Sequence, residues 1–90
     1  MLEKSVSIVN KSGLHARPAA QFVQTALQFK STIKVGKASR EVDGKSILGV
    51  LSLGITKGTR ITLKAEGEDE VDAIETMMAL IENLFGEGME

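Results

Sequence analysis

His15 is the only histidine in this chain of 90 residues. It stands in the run Gly13-Leu14-His15-Ala16-Arg17-Pro18, just ahead of the only proline. Histidine titrates near neutral pH, so it serves as nucleophile, acid–base group or ligand. From Pro18 onward, Ala19, Ala20, Phe22, Val23, Ala26 and Leu27 have the apolar spacing of an amphipathic helix. Proline fits a first helical turn, where its missing N–H has no partner to lose. The spacing therefore predicts His15 at a helix N-terminus, with Arg17 in the same turn. Such an end offers unpaired N–H donors and partial positive charge to an anion. An imidazole, a guanidinium and backbone donors on one spot suit a phosphoryl group. The plainer alternative is a polar surface histidine or a cap. Arg17 beside it, and a second helix start built alike at Lys45-Ser46, favour chemistry.

The elements that must position these residues are short. Leu2 to Val9 alternate as a strand with one buried face, and Asn10 to Gly13 form a turn. The first helix runs to about Leu27 or Gln28, with Ala19, Phe22, Val23 and Ala26 inward. Thr32 to Val35 is a second strand, Gly36-Lys37 a tight turn, and Arg40 to Asp43 the returning partner. Ile47 to Leu53 reads as a helix of about two turns, with Ser46 as N-cap and Gly54 as C′ glycine. Arg60 to Ala65 is the fourth strand. Asp69 caps a last helix whose stripe is Val71, Ile74, Met77, Met78, Ile81, Leu84 and Phe85, ended by Gly86 and Gly88. The final residues are expected to fray. The order is βαββαβα, an α+β arrangement in which helices cover one sheet face and the other stays polar.

Composition narrows the function. Residues 1–90 fit one small domain, which buries only about 60–65% of its unfolded surface. No apolar run is long enough to span a membrane, and no signal peptide is evident. The absence of cysteine excludes disulfides and thiolate metal sites and fits a reducing cytoplasm. One histidine with scattered carboxylates makes no zinc site. Net charge is −1, with basic and acidic residues mixed and neither Trp nor Tyr, which argues against a nucleic-acid binder.

The short helix carries more apolar residues than it can bury. Val50 and Leu53 share one side, while Ile47, Leu48 and Leu51 cluster on another, so one set must face outward unless the helix lies flat. An outward cluster is a protein-docking patch. Ser46 reads equally as a plain cap and as a phosphate acceptor, which would place roughly −1.5 to −2 charges beside that patch.

Gly13 to Ala20 resembles the active-site signature of the HPr family, the histidine-containing phosphocarriers of the bacterial phosphoenolpyruvate-dependent sugar phosphotransferase system. Lys45 to Gly54 resembles that family's serine phosphorylation signature. The similarity covers essentially the whole chain, including Lys57-Gly58 and Ala65 to Glu70. It implies an open-faced β-sandwich: a four-stranded antiparallel sheet of order 1-4-2-3 with three helices on one face. It implies that His15 takes a phosphoryl group on Nδ1 from phosphorylated enzyme I and hands it to a histidine of enzyme IIA. Ser46 would be phosphorylated by an HPr kinase/phosphorylase, and that form would bind a catabolite-control repressor.

A carrier of this kind is no enzyme with its own turnover, since no second acid or base accompanies His15. It needs no cofactor or metal, and it is expected to be a cytoplasmic monomer that neither binds nucleic acid directly nor inserts into a membrane. Its docking surface must surround the histidine, so Leu14, Ala20, Ile47, Leu48 and Leu51 are expected there. Leu48 and Leu51 stand where many Gram-positive members carry methionine, a more adaptable side chain. Asp43-Gly44-Lys45-Ser46 is closer to the nitrogen-branch paralogue. That keeps open a nitrogen-branch phosphocarrier, or a regulatory binding module that works through Ser46. The paralogue lacking the histidine is excluded by His15.

Overall fold

In the computed structural model, which describes residues 1–83, period-two segments form strands and the 3.6-residue stripes form helices. The elements are β1 (Leu2–Ser7), α1 (Ala16–Ala26), β2 (Thr32–Lys37), β3 (Arg40–Asp43), α2 (Ile47–Ser52), β4 (Arg60–Glu66) and α3 (Glu70–Glu82). All strand pairs are antiparallel, and the sheet order is β1-β4-β2-β3. This is the α+β open-faced arrangement that the resemblance implies.

Register follows from burial. Ile33 and Val35 of β2 and Ile61, Leu63 and Ala65 of β4 turn to the covered face and are buried. Their neighbours Lys34, Thr62 and Lys64 lie on the open face, where the Glu41 carboxylate meets Lys64 Nζ at 2.9 Å. That contact holds the Glu41 carboxyl below its ordinary pKa and Lys64 above its own, the shared hydrogen bond being the main cause for both. A one-residue slip would expose the apolar set and bury the charged one.

In α1, Ala19, Phe22, Val23 and Ala26 are buried, as their spacing predicts. Phe22 is fully enclosed, a contribution of about 1.5–3 kcal/mol from burial of that side chain. The helix starts at Ala16, so Pro18 occupies its third position and is itself buried.

Three expectations change. The hairpin does not turn at Gly36-Lys37. Gly36 pairs with Glu41 and Lys37 with Arg40, so the two-residue loop is Ala38-Ser39. Gly36 instead serves close packing, because a Cβ there would stand 3.2 Å from the Arg40 carbonyl oxygen. Val71 is 55% exposed and lies outside the buried stripe of α3, which is Ala73, Ile74, Met77 and Ile81. Ala73, absent from the expected stripe, fills the contact because its small side chain lets the helix approach closely. Asp69 occupies the N-cap position of α3 but makes no side-chain cap bond. Its carboxylate instead accepts from the backbone N–H of Lys30 (2.8 Å), the N–H of Ser31 (2.9 Å) and the Ser31 hydroxyl. Leu84, Phe85, Gly86 and Gly88, and the frayed end, lie outside the described residues.

Candidate functional site

The segment ahead of α1 is shaped by backbone contacts. Asn10 is buried, and its Nδ2 donates to the Gly13 carbonyl oxygen at 2.8 Å, while the Gly13 N–H donates to the Asn10 carbonyl at 3.2 Å. Gly13 sits at φ +59°, pressed against Ile55 and Thr56. The next N–H, that of Leu14, donates to the Ile55 carbonyl at 3.0 Å. The loop is thereby fastened to the chain that follows α2.

His15 is the N-cap residue of α1 in extended conformation (φ −81°, ψ −167°), and its side chain makes no cap hydrogen bond. Its carbonyl accepts the Ala19 N–H at 2.8 Å, which starts the helix. The N–H groups of Ala16 and Arg17 have no partner within the helix, and Pro18 has none to offer. The imidazole is exposed, and Arg17 is exposed beside it. The ring lines a shallow depression of about 110 Å³ with Ser12, Leu14, Leu51, Gly54, Ile55 and Thr56. An exposed imidazole with a guanidinium and a helix N-terminus at hand is open to approach from outside. It is not set in a deep pocket that would select a small substrate.

Ser46 is the N-cap of α2, and its Oγ accepts the Gly49 N–H at 3.1 Å. Lys45 Nζ donates to the Phe29 carbonyl at 2.7 Å and pins the start of α2 to the end of α1. The helix does not lie flat. Val50 and Leu53 are buried, while Ile47, Leu48 and Leu51 are 39, 78 and 39% exposed. Leu51 reaches the depression that holds His15. Ala20, in the second turn of α1, is half-buried. Leu14 is corrected: at 3% exposed it belongs to the core, because its N–H bond to Ile55 draws it inward, and it offers no docking surface. Asn10 and Ile55 are parts of the site that the sequence did not mark. Asn10 reads as an ordinary turn residue, and Ile55 is joined to the site only by the fold.

The charges are also not mixed. Every Lys and Arg lies at or before Lys64, and most carboxylates lie beyond it, in α3 and its approach. Arg17 beside His15 therefore belongs to the basic part of the chain. Among the described residues no group of three or more His, Asp or Glu is placed to hold a metal ion. No helix among them is long and apolar enough to cross a membrane.

Comparison with known proteins agrees with this geometry. A family model described as "PTS HPr component phosphorylation site" matches residues 2–83. The phosphocarrier protein HPr of Neisseria meningitidis is 49% identical over 88 residues, covering 98% of this chain and 99% of the relative. The HPr-like protein Crh of Halalkalibacterium halodurans is 50% identical over 82 residues, covering 91% of this chain and 98% of the relative. A crystal structure of HPr from Thermoanaerobacter tengcongensis superposes with a TM-score of 0.97 at 52% identity, over 99% of this chain and all of that one. Sequence, sheet order and the placement of His15 and Ser46 agree, and the chain belongs to the HPr family of phosphocarriers of the phosphotransferase system.

Proposed function

We propose that His15 is the carrier residue of this protein, taking a phosphoryl group from phosphorylated enzyme I and passing it to enzyme IIA. The observation that carries this reading is the exposed His15 imidazole, free of any capping duty, at the N-terminus of α1 with Arg17 beside it. The lone pair of Nδ1, the acceptor atom implied by the family, attacks phosphorus. The bond from phosphorus to the donor breaks, and its electron pair stays with the donor. The second transfer repeats this with His15 as the leaving group, so nothing is oxidised or reduced. Arg17 and the N–H groups of Ala16 and Arg17 stabilise the added negative charge. The water-open site holds the phosphoryl group lightly, which suits a carrier that must release it.

Ile47, Leu48 and Leu51, with Ala20, make the docking surface for both partners. Phosphorylation of Ser46 by an HPr kinase/phosphorylase sets negative charge beside that surface. It thereby slows exchange with enzyme I and favours a catabolite-control repressor. The protein works as a cytoplasmic monomer without turnover of its own. Incubation with phosphoenolpyruvate and enzyme I tests the core of this reading. Wild type should yield an acid-labile, base-stable phosphoprotein, and His15→Ala should stay folded and unmodified. Arg17→Ala should accept phosphate more slowly. Label on the His15→Ala variant from enzyme I would sink the assignment.

A further inference from the structure

Two local rules are broken at the tip of the β2–β3 hairpin. Lys37 and Arg40 face each other as cross-strand partners, although like charges directly opposite repel. The loop between them puts Ala38 at φ +55°, a backbone region that an L side chain disfavours. Such conflicts persist where the surrounding structure over-determines them.

What over-determines them is the C-terminus of α2. Lys37 Nζ donates to the carbonyls of Leu53 (3.1 Å) and Gly54 (3.0 Å). Arg40 Nη1 donates to the Ser52 carbonyl at 2.9 Å, and its Nη2 reaches the Ser52 hydroxyl at 3.2 Å. That hydroxyl in turn donates to the Gly49 carbonyl at 2.6 Å. The last turn of α2 holds no basic residue of its own. Its end carbonyls and the negative end of its dipole are thus satisfied from the hairpin. A two-turn helix has little stability alone, so its place depends on such ties. The effect reaches His15. Gly54, whose carbonyl Lys37 holds, is followed by Ile55, whose carbonyl holds the Leu14 N–H next to His15. Leu51, Gly54, Ile55 and His15 line one depression.

We infer that Lys37 and Arg40 are positioning residues for phosphoryl transfer: they fix the end of α2, and with it the docking surface and the wall beside His15. The inference rests on the reading of His15 as the carrier residue. Neither cation needs to touch the phosphoryl group.

The test is steady-state phosphorylation of the full chain by enzyme I, with the carrier concentration varied, joined to urea unfolding and amide exchange at Leu14. In Lys37→Met/Arg40→Gln, KM should rise about tenfold with kcat within about twofold, the pattern of lost docking energy. Leu14 exchange should quicken. The conservative Lys37→Arg/Arg40→Lys should return KM to within about twofold of wild type. Ser31→Ala, at the far end of the fold, should lower stability and leave KM unchanged. A wild-type KM in the folded Met/Gln double variant overturns the inference. So does a KM in Ser31→Ala raised as far as in the double variant, since the effect would then be general loosening. If the double variant does not fold, Lys37→Met and Arg40→Gln alone are read the same way, and a wild-type KM in both overturns it. A wild-type chain that takes no phosphoryl group overturns the carrier reading itself, and this inference with it.

Discussion

Gly13→Ala tests how His15 is held. An added Cβ would stand 2.6 Å from the Ile55 carbonyl oxygen and 2.7 Å from Thr56 Cα, both backbone atoms that no rotamer change can move. The residue also sits at φ +59°, where a Cβ costs about 1–2 kcal/mol. Forcing extra volume into a packed contact adds about 1–3 kcal/mol. The sum, about 2–5 kcal/mol, corresponds to a fall in Tm of roughly 10–30 °C for a domain of this size. The cheapest relief is for the loop to lift from Ile55. That breaks the Leu14–Ile55 hydrogen bond and tilts His15, so phosphorylation per folded molecule should slow as well. Urea unfolding gives the first quantity, and initial rates with enzyme I at a temperature where both proteins are folded give the second. Gly58→Ala is the control: Gly58 lies at φ +93° with nothing within 4 Å of its would-be Cβ, so it carries backbone strain without the clash. If Gly13→Ala is no less stable than Gly58→Ala and is phosphorylated at the wild-type rate, the close approach to Ile55 does not hold the site.

Leu48→Glu should weaken binding to enzyme I and enzyme IIA together, by about 1–3 kcal/mol for an interface anchor. Its stability should change by no more than about 0.5 kcal/mol, as for an exposed position; titration calorimetry and thermal melts measure the two, and unfolding with unchanged binding per folded molecule would redraw the patch. Ser46→Asp should slow phosphorylation of His15 while Tm stays near wild type, because aspartate also caps α2 and cap changes are worth about 1 kcal/mol; a rate lost only through melting would contradict the charge mechanism. Asp69, held down to a pKa of about 2 chiefly by the Ser31 hydroxyl and then by the Lys30 N–H, ties α3 to the start of β2. A depressed carboxylate contributes its full stability above its unfolded value and loses it as pH falls through the folded one. Wild type should therefore lose stability between about pH 4 and pH 2. Asp69→Asn should be less stable at pH 7 and show a flatter acid limb, and parallel acid limbs would refute this role.

The sequence by itself determined the element order, the buried stripe of α1, the cap of α2 by Ser46 and the place of His15 at a helix start. Each of these is written in local periodicity or in residues whose preference is strong at one position: proline in a first turn, serine at an N-cap. Where two local solutions were nearly equal in free energy, only the tertiary structure decided. Gly36-Lys37 offers a turn, but pairing with β4 on the other side carries β2 past it to Ala38-Ser39. The two apolar faces of α2 are alike in hydrophobicity, and it is the sheet beneath that took Val50 and Leu53 and left Leu48 outside. Leu14 sits beside His15 in the chain yet is drawn into the core by a hydrogen bond to a residue forty positions on. Asp69 could cap α3, but two backbone donors and a hydroxyl at Lys30 and Ser31 claim its oxygens. Partners distant in sequence leave no periodic trace in the chain. They appear only when folding brings them within hydrogen-bonding reach, and the tie of Lys37 and Arg40 to the end of α2 is of the same kind.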